Sequence, residues 1–222
     1  MTGLKNISNT CYMNSVLQAL RHVPHIKHYF CNDVYQLDVS DPTSMLYEVA
    51  RLFKSLYHGT SSAILPMEFY NKFCNHYKQY SLKYHEDASE FLILLINHLN
   101  KEYVYEPRNT PEEWAHYEDR VKIMDYPNSY FAINISYQVN VTKICPKCAS
   151  KGVKGHPELI FFVILPIDDG DFFLQMQLDD NFRDGYDEIP PKICLPCEQK
   201  ILTYRDISYH PRIAIIVVKR YM

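Results

Sequence analysis

Residues 9–20 read Asn9-Thr10-Cys11-Tyr12-Met13-Asn14-Ser15-Val16-Leu17-Gln18-Ala19-Leu20. Asn and Thr favour helix N-caps, and the apolar residues that follow recur at helical spacing. This pattern predicts a helix whose first turn carries Cys11, where free backbone N–H groups and the helix dipole favour a thiolate. On chemistry alone, a cysteine so placed is either a nucleophile or a small buried hydrophobe. The residues around it decide between the two.

The chain has 222 residues, enough for one substantial domain or two small ones. Apolar residues make up 47% and charged residues 22%, a globular balance, and the net charge of −3 argues against nucleic acid or an anionic membrane as partner. The opening MTGLKNISN lacks the basic and apolar regions of a secretory signal. The longest apolar runs, Leu159–Ile164 and Ile213–Val218, are too short to span a bilayer and read as buried strands. Seven cysteines include two Cys-x-x-Cys pairs. Without a secretion signal the thiols are expected to be reduced, in the cytoplasm or nucleus, which favours metal binding over disulfides.

Helical periodicity dominates the first hundred residues. Thr43 is expected to cap a helix bearing Met45, Val49, Leu52, Phe53 and Leu56 on one face. A shorter helix starts at Pro66 and carries Phe69, Phe73 and Tyr77. The clearest spans Glu86–Leu99, with Ala88, Phe91, Leu92, Leu95, Ile96 and Leu99 as its apolar stripe. Residues 102–128 read as a polar connector in which Glu112-Glu113-Trp114 can form a short helix. Strict alternation from Phe131 through Ile133, Ile135, Tyr137 and Val139 to Val141 then predicts one long strand. Further strands are expected at Leu159–Ile167, Leu174–Leu178 and Ile213–Lys219. A helical part (1–128) followed by a β-rich part (129–222) indicates an α+β fold.

Cys145-Pro-Lys-Cys148 and Cys194-Leu-Pro-Cys197 each present two thiolates on one turn, as tetrahedral Zn²⁺ requires. Four sulfurs close the shell and leave no position for water, so the expected role is structural. The 45 residues between the pairs (149–193) place them on two separate hairpins clamped by one ion.

The segment Gly3-Leu4-Lys5-Asn6-Ile7-Ser8-Asn9-Thr10-Cys11-Tyr12-Met13-Asn14-Ser15-Val16-Leu17-Gln18-Ala19-Leu20 closely resembles the cysteine box of the ubiquitin-specific proteases. These are papain-like deubiquitinating enzymes with thumb, palm and fingers subdomains. Tyr84-His85-Glu86-Asp87-Ala88-Ser89-Glu90-Phe91-Leu92 is similar to the family's Gln-Gln-Asp-Ala-x-Glu-Phe-Leu segment. The cysteine pairs stand where the family carries its fingers zinc, and the "ELIFFVILPI" and "HPRIAIIVVKRY" runs look like its palm strands. The resemblance implies a thiol-dependent ubiquitin C-terminal hydrolase with a helical thumb at 1–128 and fingers plus partial palm at 129–222. Cys11 matches the nucleophile, Asn6 the side chain that stabilises the oxyanion, and Asp87 and Glu90 the acidic positions that hold ubiquitin's basic tail. Simple charge at a helix N-terminus is the alternative reading of Asp87 and Glu90.

Three departures stand out. Ser8 replaces a usual Gly, which strains the loop if that position needs a positive φ. His85 and Glu86 replace a Gln pair, removing donors toward a ubiquitin carbonyl. The chain stops at Lys219-Arg220-Tyr221-Met222, whereas the family's basic histidine follows that box. None of the ten histidines carries the matching motif: Gly155-His156-Pro157 lies between the cysteine pairs, and His22, His25, His28 and His210 read as surface or packing residues. The expectation is a nucleophile without a base, hence little turnover by this chain alone. A ubiquitin-binding pseudoenzyme and a zinc-stabilised interaction module are the alternatives.

Overall fold

Seven apolar positions at spacings of three and four make the longest helical stripe bury itself, and the first part of the chain is arranged around such stripes. A computed structural model describes residues 2–80, 83–102, 129–158, 161–164 and 192–219. The chain divides into two compact units, Met1–Arg108 and Asn109–Met222. In the first unit α1 (Cys11–Arg21), α2 (Pro24–Cys31), a 3-10 turn (Val34–Leu37), α3 (Met45–His58), α4 (Met67–His76) and α5 (Ala88–Glu102) follow in order. A short parallel pair, β1 (Gly3–Leu4) with β2 (Ala63–Ile64), ties the N-terminus down. No described helix is long and apolar enough to cross a membrane.

The helix periodicities translate directly into burial. Met45, Leu46, Val49, Ala50, Leu52, Phe53 and Leu56 of α3 are buried, as are Phe91, Leu92, Leu95, Ile96 and Leu99 of α5. The caps shift by a residue. Ser44 caps α3, its Oγ accepting from Tyr47 N at 3.2 Å, because Thr43 N is taken by Asp41 Oδ1 at 2.8 Å in a local turn. Pro66 occupies the N-cap of α4, one place before the first turn. Helix α2 was not expected; Pro24 at its first position and buried Ile26, Tyr29 and Phe30 at helical spacing are its signals.

In the second unit the strand expected from Phe131 to Val141 begins only at Tyr137. Residues Tyr130–Ile135 form a helix, α6. Ser129 Oγ accepts from Ala132 N at 3.0 Å and caps it, while Asn134 Nδ2 donates to Tyr130 O at 2.7 Å. Phe131, Ala132 and Ile135 are buried, as one helix face requires, and Phe131 and Ile135 alone would also suit an alternating strand. After Ser136 the alternation holds. β3 (Tyr137–Ile144) is the centre of an antiparallel sheet, with β4 (Lys151–Glu158) on one side and β8 (Leu202–Tyr209) on the other. Glu158 links the two flanks: Tyr137 Oη donates to it at 2.5 Å and Arg205 Nη2 at 2.6 Å. A parallel pair joins β5 (Phe161–Ile164) to β9 (Ile216–Lys219), and β6 (Ile193–Cys194) with β7 (Gln199–Lys200) makes a small hairpin. The Glu112-Glu113-Trp114 segment and the strand expected at Leu174–Leu178 lie outside the described residues. So do parts of the expected Leu159–Ile167 strand.

The end of α5 locks the start of α3. Glu102 Oε1 accepts from Met45 N at 2.6 Å and Oε2 from Leu46 N at 2.8 Å, with His98 Nε2 3.4 Å from Oε1. Burial works to raise the Glu102 carboxyl, but hydrogen bonds from His98, Met45 N and Leu46 N outweigh it and leave the group below the carboxylate range. A folded pKa below the unfolded value of about 4.3 stabilises the fold above that pH and loses the effect as pH falls through the folded value. Glu102→Ala is expected to cost about 2–3 kcal/mol in urea unfolding at neutral pH, and the difference should shrink progressively as pH falls below about 4.3. Leu95, fully buried on α5, should cost about 2–5 kcal/mol when truncated to Ala. A cost under about 0.5 kcal/mol would show that it faces solvent.

Candidate functional site

Cys11 is the first residue of α1, and its thiol is exposed. Tyr12 and Met13, immediately after it, are 5% and 0% exposed, so the backbone that carries the thiol is anchored in the core. Thr10 is the N-cap residue, yet its side chain makes no capping bond to the helix. Its Oγ1 instead accepts from Ile7 N at 3.2 Å and donates to Asn6 Oδ1 at 2.8 Å. Among the described residues no side chain caps the first-turn N–H groups, which belong to the same end of α1 as the thiol.

Asn6 is oriented by the same network. Thr10 N can only donate, and it lies 3.1 Å from the Asn6 side chain, so the atom it meets is Oδ1. Among the described residues Asn6 Nδ2 has no acceptor, which leaves both of its N–H donors open on the same loop as Cys11. Ser8 is not one of the described non-glycine residues with a positive φ, which are Asp33, Ala149 and Glu198. Its replacement of glycine therefore brings no backbone strain, and its carbonyl accepts from Thr10 N at 2.7 Å.

Asp87 and Glu90 stand at the exposed head of α5. Asp87 Oδ1 accepts from Ser89 N at 2.6 Å, from Ser89 Oγ, and from Glu90 N at 3.0 Å, while its carbonyl accepts from Phe91 N. It is the N-cap of α5. Two residues before it, His85 Nδ1 lies 3.8 Å from Cys11 Sγ. From the sequence His85 stood out only as a departure from Gln, and no histidine was expected beside the thiol. Asn9 Nδ2 donates to Lys83 O at 3.1 Å and ties this loop to the cysteine loop. His22, His25, His28 and His210 are exposed, as expected of surface residues.

In the second unit the four expected metal-ligating cysteines come together. The Sγ atoms of Cys145, Cys148, Cys194 and Cys197 all lie within 4.8 Å of one another. Sulfurs at 2.3 Å around a tetrahedral centre must be about 3.8 Å apart, and the Cys148–Cys194 pair is at 3.8 Å. Each pair sits on its own hairpin, between β3 and β4 and between β6 and β7. The two turns share one construction: Ala149 and Glu198, directly after the second cysteine, adopt φ of 56° and 53° and donate N–H to the carbonyls of Cys145 and Cys194. The backbone N–H of Cys148 directed at Cys145 holds that thiol well below the ordinary thiol range.

A helical unit with a thiol at a helix head, followed by a β-rich unit with a four-cysteine cluster, matches the family described as "Ubiquitin carboxyl-terminal hydrolase" over residues 2–222. The chain belongs to this family of ubiquitin-specific proteases. Human ubiquitin carboxyl-terminal hydrolase 15 is 28% identical over 184 residues, covering 75% of this chain and 19% of that protein. Human ubiquitin carboxyl-terminal hydrolase 22 is 32% identical over 102 residues, covering 46% of this chain and 19% of that one. Thus the chain spans about a fifth of the length of these curated relatives. Among solved structures, the SAGA Ubp8/Sgf11/Sus1/Sgf73 deubiquitinating module bound to ubiquitin aldehyde superposes over 99% of this chain and 47% of the matched chain. That superposition has a TM-score of 0.71 at 16% identity. The same module bound to monoubiquitin gives 0.72 at 17% identity, covering 99% and 48%. This likeness bears out the α+β fold expected from the change of period.

The cysteine cluster is expected to hold one metal ion per chain. Elemental analysis of purified protein should find close to one equivalent, and Cys194→Ser should lower it. A fully folded protein without metal would contradict the assignment.

Proposed function

We propose that the chain acts as a thiol-dependent ubiquitin C-terminal hydrolase, with Cys11 attacking the carbonyl carbon of ubiquitin's C-terminal glycine. The observation that carries this reading is the exposed Cys11 thiol at the head of α1, beside N–H groups that no side chain caps. Attack forms a thioester and places negative charge on the carbonyl oxygen, where donors already aimed at it act without reorganisation. Asn6 Nδ2 and the first-turn N–H groups of α1 are those donors. Asp87 and Glu90 put two carboxylates at the head of α5, suited to the arginines of a basic tail. Capping α5 and attracting that tail are compatible tasks for Asp87, because its charge persists while Oδ1 accepts from the helix. The solved neighbours bound to ubiquitin aldehyde and to monoubiquitin support ubiquitin as the ligand.

Zinc is the metal that best suits four thiolates, and the closed shell gives it a structural task rather than a catalytic one. Residues 1–128 correspond in this reading to the thumb, and 129–222 to the fingers and part of the palm. Reduced thiols at the cluster fit a cytoplasmic or nuclear location.

Ubiquitin carrying a C-terminal electrophile should form one adduct per chain, seen as a mass increase mapping to Cys11. Cys11→Ala should abolish it, whereas Cys31→Ala and Cys74→Ala should not. Glu90→Arg is expected to slow labelling roughly tenfold by repelling the basic tail. Absence of any adduct with the metal-loaded chain would overturn the reading.

A further inference from the structure

We infer that Asn14 is a positioning residue for Asn6: it fastens the peptide that leads into the oxyanion donor onto the helix that carries the thiol. This rests on the reading of Cys11 as the attacking thiol. Asn14 lies one turn beyond Cys11 on α1, and its Nδ2 donates to Lys5 O at 3.2 Å. The Lys5 carbonyl belongs to the peptide bond that joins Lys5 to Asn6.

The partner settles which way the Asn14 amide faces. A backbone carbonyl only accepts, so the atom toward Lys5 O is Nδ2. Asn14 Oδ1 is then buried and meets no donor among the described residues. Asparagine is also a poor helix former, because its side chain competes for nearby backbone groups. A mid-helix Asn with a buried, unpaired oxygen works against the stability of α1. Among the described residues its side chain makes one hydrogen bond, and that bond goes to Lys5 O.

Asn6 is thereby tied to α1 at two levels. Its Oδ1 accepts from Thr10 N at 3.1 Å and from Thr10 Oγ1 at 2.8 Å. The carbonyl just before it is held by Asn14, four residues beyond Thr10 and on the same face. Asn14 N donates to Thr10 O at 3.0 Å, so both anchors belong to one hydrogen-bonded turn, and Cys11 stands inside it. On its other side the strand is pinned to β2: Lys5 N donates to Ile64 O at 2.8 Å and Gly3 N to Ser62 O at 2.8 Å. The separation of the thiol from the Asn6 Nδ2 donors is thus set within one turn of helix.

Without the Lys5 bond, Asn6 keeps its side-chain bonds to Thr10 but loses a hold on its backbone, and Nδ2 is no longer confined to one place. An oxyanion donor works by being in position before charge develops. The loss therefore falls on the complex in which the carbonyl oxygen has become tetrahedral, and not on the binding of ubiquitin.

The test compares the affinity of the metal-loaded chain for ubiquitin aldehyde with its affinity for ubiquitin, by titration calorimetry. With the aldehyde the thiol adds across C=O: the S–C bond forms, the π pair moves to oxygen, and the thiol proton ends on that oxygen. Asn14→Ala and Asn14→Asp should each lower the preference for the aldehyde about tenfold and leave ubiquitin binding unchanged. Alanine is the better helix former, and aspartate keeps the shape while setting an acceptor against Lys5 O. In an Asn6→Ala background neither substitution should lower the preference further. In Asn14→Ala the alkylation of Cys11 by iodoacetamide, which expels iodide and develops no oxyanion, should keep its rate. An undiminished preference in both variants, a further loss in the Asn6→Ala background, or slowed alkylation of Asn14→Ala would overturn the positioning role alone. A parent chain that binds the aldehyde no more tightly than ubiquitin would overturn the reading of Cys11, and the role of Asn14 with it.

Discussion

The ring of Tyr12 meets Phe91 edge-on, centroids 5.6 Å apart, and lies 5.9 Å from Tyr80. Phe73 closes the cluster, 4.8 Å from Phe91 and 5.2 Å from Tyr80. Pairs of this kind add about 0.5–1.5 kcal/mol each beyond the area they bury. Their position matters more than their energy. Tyr12 directly follows the nucleophile, and Phe91 is one turn into the helix that Asp87 caps. The packing of two rings therefore sets where the head of α1 stands relative to the head of α5. Asn9, Cys11, His85, Asp87 and Glu90 all inherit their places from that contact.

Thr10 shows how the unit divides its hydrogen bonds between stability and chemistry. A threonine at the N-cap ordinarily gains about 1 kcal/mol by accepting from the first turn. Here it turns toward Ile7 and Asn6 and leaves those donors open. At the heads of α3 and α5 the donors are consumed, by Ser44 and Glu102 and by Asp87, whereas α2 and α4 begin, like α1, without a side-chain cap. Val23 and Pro66 at the heads of α2 and α4 have no side-chain oxygen to offer, whereas Thr10 has one and directs it to Ile7 and Asn6 instead.

Much of this was legible in the chain itself. The stripes of α3 and α5 announce helices because their apolar positions recur every three or four residues, and the cysteine spacing announces the cluster because the pairing of ligands is local. What escaped depends on the third dimension. Phe131 and Ile135, four residues apart, satisfy both periods, and only the cap from Ser129 and the bond from Asn134 to Tyr130 decide for helix. Strand β8 carries Thr203, Arg205, Asp206 and Ser208, and its order comes from lying against β3. His85 looked like a lost glutamine because nothing in its neighbourhood says that Asn9 will draw the Lys83 carbonyl toward Cys11.

The split of the four cysteines between two hairpins imposes an order on biosynthesis. Cys145 and Cys148 leave the ribosome on the β3–β4 hairpin well before Cys194 and Cys197, and at about 5–20 residues per second the delay is roughly 2–9 s. Strand β8, the second partner of β3, emerges later still. For those seconds a nascent chain displays two thiols in half a shell and one unpaired edge of its central strand, a state that favours borrowed partners. The sheet reaches its final pairing only once residue 209 is free, so capture of a metal ion and completion of the sheet are late and nearly simultaneous events.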